Sequence, residues 1–71
     1  MKTIYEARNY IRSNKGKEVW VKIRGIRNKN EDIKGIISEC YPNIFLVVTK
    51  DGNKSFSYSD VLIGNIEVKL N

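Results

Sequence analysis

Five short stretches of β-forming residues, separated by turn, loop or capping signals, leave this 71-residue chain little choice of architecture. The clearest is Glu18 to Ile26, where Val19, Val21 and Ile23 alternate with Trp20, Lys22 and Arg24. That period of two belongs to a strand with one buried and one outward face. A second strand is predicted from about Ile33 to Cys40. Gly35 inside it suggests a bulge or sharp bend. Pro42-Asn43 marks a turn, and Ile44 to Thr49 follows as a strand apolar on both faces, expected to be central or barrel-lining. Asp51-Gly52 is a hairpin signal, and Ser55 to Tyr58 gives a fourth strand with Phe56 and Tyr58 on one face. Ser59 and Asp60 can cap a single helical turn through Val61 and Leu62. Gly64 then releases the chain into a last strand, Ile66 to Leu70.

A helix over residues 3 to 14 precedes the strands. Thr3 stands at the N-cap with Glu6 three residues on, and Ile4, Ala7 and Ile11 line one face. Arg8, Arg12 and Lys15 fall on the solvent side, and Gly16 suits a left-handed helix end. Five short antiparallel strands find cover most simply in a small bent barrel. The expected fold is therefore mainly β: one domain over residues 1–71, a five-stranded SH3-like (Sm-like) barrel over about 17–70. The N-terminal helix plugs one end, and a short 3-10 turn precedes the last strand. An OB-fold is the competitor, but no helix-length segment lies between the third and fourth strands.

The chemistry open to the chain is narrow. It has no histidine and one cysteine, Cys40, so a Cys-His pair is absent and the ligand set of a zinc site is not met. Cys40 reads as a small strand-end residue. The glycines fit no phosphate-cradling loop, and the adjacent acids Glu31 and Asp32 in the polar run 27–32 read as solvated. No catalytic residue, metal or cofactor is expected. The single cysteine suits a reducing compartment, no apolar run reaches membrane-spanning length, and the first ten residues carry no signal core. A cytoplasmic location is expected.

Charge is the informative feature. The net charge is +5, and residues 1–35 hold ten Lys and Arg against four acids, while residues 36–71 hold three against four. A hairpin between the first two strands would gather Lys22, Arg24, Arg27, Lys29 and Lys34 into one patch, with Trp20 on the same outward face. Cations beside an aromatic ring suit a nucleic-acid strand. They equally suit an acidic protein surface, or are merely solvated with Trp20 covered by the helix. Tyr41, Phe56 and Tyr58 read as packing residues. Pairing of copies through free strand edges is a further possibility.

Two stretches carry a resemblance. Gly35 to Phe45 follows the pattern G-x-(I/L)-x-E-x-Y-P-x-(I/V)-F, and Ser57 to Leu62 follows S-Y-x-D-(I/V)-L. Together with Gly16-Lys17 and the basic connection near Arg27, these resemble the Veg family of small proteins from low-GC Gram-positive bacteria. Where that family reads Gly-Arg-Arg-Lys, this chain reads Gly25-Ile26-Arg27-Asn28-Lys29. The resemblance implies an SH3-like barrel and a non-enzymatic role in biofilm formation and transcription regulation, countering a repressor. It supplies no catalytic residues.

Overall fold

The computed structural model describes residues 3–24 and 30–71, with Asn30 described in its backbone alone. Arg27 and Lys29, and the expected end of the first strand at Ile26, lie outside the described residues. Helix α1 spans Ile4–Ser13 and begins where expected: the Thr3 hydroxyl accepts a hydrogen bond from the Glu6 amide at 3.2 Å. Gly16 follows at φ 86°, the left-handed turn that the sequence implies.

Five antiparallel strands form one sheet: β1 (Glu18–Arg24), β2 (Asn30–Cys40), β3 (Ile44–Thr49), β4 (Gly52–Ser57) and β5 (Ile66–Leu70). Their order is β4-β3-β2-β1-β5. Consecutive strands are therefore neighbours from β1 to β4, and β5 returns beside β1. The β3–β4 hairpin pairs Thr49 with Gly52 around the two residues Lys50 and Asp51, so Gly52, at φ 119°, closes the turn rather than sitting in its middle.

Several expectations are corrected. No ladder joins β4 to β5 among the described residues, so the sheet is not closed into a barrel. A second helix, α2 (Tyr58–Ile63), packs against β4, β5 and α1 and fills that gap. This helix replaces the predicted 3-10 turn. Its cap is Ser57, whose hydroxyl accepts from the Asp60 amide at 3.1 Å, not Ser59 or Asp60. Tyr58 accordingly starts a helix instead of ending a strand. Finally, the register irregularity of β2 lies between Ile37 and Cys40, away from Gly35. Gly35 serves close approach instead. A Cβ there would stand 2.5 Å from the Val48 carbonyl oxygen and 2.6 Å from Val47 Cγ1.

The core lies between the sheet and the helices. Ala7 and Ile11 of α1 and Tyr58 and Val61 of α2 meet Val19, Val21, Ile37, Phe45, Val47, Phe56, Ile66 and Val68 of the sheet. Phe45 stacks on Tyr58 with centroids 5.4 Å apart and tilts against Phe56 at 5.8 Å, geometries that favour aromatic pairs beyond their buried area. Ile4 and Ile23, expected inward, are only partly buried at the edge of this cluster. Tyr10 ties α1 to the sheet by donating its hydroxyl proton to the Val68 carbonyl at 3.1 Å.

Candidate interaction site on the outer sheet face

Because alternate residues of β1 face opposite ways, burying Val19 and Val21 turns Trp20, Lys22 and Arg24 outward. Trp20 is thus on the side away from α1, and 41% of its surface is exposed. The register sets Trp20 opposite Lys34 of β2 and Lys69 of β5, and Lys22 opposite Asp32 and Glu67. Four of the six expected site residues, Trp20, Lys22, Arg24 and Lys34, therefore share one face. Arg27 and Lys29 fall outside the described residues.

The face is not a block of positive charge. Lys34 Nζ stands 5.6 Å from the Trp20 ring centroid and 3.4 Å from Glu18 Oε1. It makes a cation–π contact and an ion pair at once. Arg24 reaches Glu67 at 3.6 Å, and Lys69 reaches the same carboxylate at 3.3 Å. The hydrogen bond from Lys69, then its charge, and to a lesser degree Arg24 and Lys22, hold the Glu67 carboxyl below the usual carboxylate range. The indole N–H of Trp20 donates to Asn71 Oδ1 at 3.0 Å, and Asn71 in turn donates to Glu18. Ion pairs this exposed contribute little to stability, but they neutralise the cations that carry them.

Next to Trp20 the face turns apolar. Ile36 of β2 pairs with Val48 of β3, and the two are 45% and 43% exposed. A half-open groove of about 620 Å³ runs over them, lined also by Trp20, Lys34, Asp51 and Lys54. Ile36 and Val48 were not singled out in the sequence. The signal for Val48 is the two-sided apolar character of β3, and for Ile36 the adjacent Ile36-Ile37 pair of β2. β3 is interior in the strand order, yet its second face is open to solvent.

Among the described residues, no cluster of His, Cys, Asp or Glu could hold a metal ion. Among them, no helix is long and apolar enough to cross a membrane. A search of curated proteins found no match. The family model described as biofilm formation stimulator VEG matches residues 2–69, nearly the whole chain, in line with the Gly35–Phe45 and Ser57–Leu62 motifs. The chain belongs to the Veg family.

Proposed function

We propose that this chain stimulates biofilm formation as a non-catalytic module that binds a protein partner on the outer face of its sheet, and so modulates transcription. The observation that carries this reading is the exposed strip of Trp20, Ile36 and Val48 set among paired charges. An aromatic anchor with apolar neighbours and a polar rim is the anatomy of a protein-binding patch. The strand order, with a helical turn leading β5 back beside β1, supports an SH3-like description of the sheet, left open between β4 and β5.

A polyanion was the other expected occupant of the Trp20, Lys22, Arg24, Arg27, Lys29 and Lys34 patch. Glu18, Asp32 and Glu67 interleave its described cations. That arrangement favours a partner bearing both signs of charge, such as a transcriptional repressor protein.

The test is complementation. A host strain lacking the protein receives the wild-type gene or a Trp20→Ala, Ile36→Ser variant. The variant should melt cooperatively yet fail to restore biofilm mass, and should lose a partner that the wild type retains from extract after nuclease treatment. Full restoration by a folded variant refutes the assignment.

A further inference from the structure

The arginines of α1 lack the carboxylate partner that Arg24 of β1 has in Glu67. With 3.6 residues per turn, Tyr5, Arg8 and Arg12 form one stripe along the helix. Among the described residues neither Arg8 nor Arg12 makes an ion pair. The stripe meets the end of the sheet where α2 begins, since the Tyr58 amide donates to the Asn43 carbonyl at 3.2 Å. There the Arg8 guanidinium lies between two rings, 5.6 Å from the centroid of Tyr5 and 5.8 Å from that of Tyr58.

Two buried polar atoms at this junction have no partner, the Arg8 Nε and the Tyr58 hydroxyl. Tyr58 is fully buried. Its hydroxyl sits beside Cys40 and Arg12 but makes no well-formed hydrogen bond with either. Buried donors are normally satisfied, and leaving one unpaired is costly. Beside them stand two guanidinium groups that make no ion pair among the described residues, so the junction is electropositive and suits an acceptor anion at its surface. The ring of Tyr5, 68% exposed beside Arg8, offers a flat face to stack upon.

We propose that the Tyr5–Arg8–Arg12 stripe of α1 binds single-stranded nucleic acid, phosphates on the arginines and a base on Tyr5. Arg8 and Arg12 are four residues apart, about 6 Å along the helix, so one strand lying along α1 reaches both. Arginine forks match phosphate oxygens, and stacking on an exposed ring tolerates any base. An acidic peptide would satisfy the arginines but would leave the Tyr5 ring without a role. The site is on the opposite side of the sheet from Trp20 and does not depend on the partner reading above.

Fluorescence anisotropy with a labelled oligouridylate tests it, using the whole chain over a range of salt concentrations, with polyglutamate as the competing anion. The oligouridylate should bind, and binding should weaken as salt rises. Tyr5→Ala should lower affinity by about 5- to 150-fold, the effect of losing one stacked base. Arg12→Gln should reduce the slope of log affinity against log salt by about 0.7, one phosphate contact on a single strand. Lys50→Gln removes the same charge at the far end of β3, about 20 Å away by strand length, and should leave the slope unchanged. Tyr5 and Arg12 are exposed, so their variants remain informative even where Arg8→Lys disturbs the fold. Absence of binding at low salt overturns the proposal. So does an unaltered affinity in Tyr5→Ala, a Lys50→Gln effect equal to that of Arg12→Gln, or equally tight binding of polyglutamate.

Discussion

Replacing Gly35 by Ala probes how closely β2 and β3 approach. The added methyl carbon would lie 2.5 Å from the Val48 carbonyl oxygen, 2.6 Å from Val47 Cγ1 and 3.2 Å from Thr49 Cγ2. Carbon atoms in good contact stand about 3.5–4.0 Å apart, so relief needs a displacement of about 1 Å. The first obstacle is backbone, which no rotamer change can move. Gly35 also pairs with Val19 on one side and Thr49 on the other, so both neighbouring ladders resist the shift. Overpacking of a well-filled interior costs about 1–3 kcal/mol, and a clash against backbone in a central strand belongs at the upper end. A domain of this length has a total stability of about 4–11 kcal/mol. A loss of about 3 kcal/mol is therefore a large share of it and lowers Tm by about 12–24 °C. Urea unfolding followed by circular dichroism measures this, with Gly52→Ala as the comparison. At Gly52 an added Cβ meets nothing within 4 Å, and only its φ of 119° opposes a side chain. A Gly35→Ala loss below about 1 kcal/mol would refute the close-approach argument.

Tyr58→Phe removes a buried hydroxyl that has no partner. It should leave stability at neutral pH unchanged or raise it by about 1 kcal/mol, and a loss of that size in urea unfolding would contradict the unsatisfied state. Burial, then Cys40, pushes the Tyr58 phenol above its ordinary value, against an opposing pull from Arg12. The folded chain thus holds this proton more tightly than the unfolded one. The stability is full below about pH 10 and declines as pH climbs through the raised value. The Phe variant should lack this alkaline component in a pH series of thermal melts. Glu67 has the opposite sign: its lowered carboxyl contributes above the usual carboxylate range and stops contributing as pH falls through its own value. Because Glu67 is exposed, concentrated salt should erase the difference between wild type and Glu67→Gln in acid titrations. In hydrogen exchange, the amides of Val19, Val21, Ile37 and Val47, in strands flanked on both sides, should outlast those of β4 and β5 at the sheet ends. Faster exchange in the central strands would contradict the strand order.

The strands that bury one face could be read from sequence because their alternation is local. Val19 and Val21 against Trp20 and Lys22 needed no knowledge of the partner strand. The helix start at Thr3 could be read for the same reason, since its cap is three residues long. Tyr58 misled because aromatic residues favour strands, while the Ser57 cap that starts α2 was masked by the equally suitable Ser59 and Asp60. The two-sided apolar character of β3 agrees with its interior place in the sheet, although its second face stays open. Ile36 and Val48 cover part of each other across the sheet, which exposed apolar pairs can do without a second layer. The charge pairing is the least legible from sequence, for a geometric reason. Glu67 is far from Arg24 and Lys22 in sequence, and only the return of β5 beside β1 brings them together. Cations were visible as a run along the chain, but their counter-charges depend on register.

The core helices lie on one side of a single sheet, and Trp20 lies on the other, in a molecule only 19 Å across its shortest axis. Ligands held at α1 and at Trp20 would share no side chain and would sit back to back through one layer of strands. Their binding free energies should then add, with little cooperativity beyond the charge felt through the sheet. If both proposed sites are occupied, the sheet would act as a spacer that holds two macromolecules on its opposite sides.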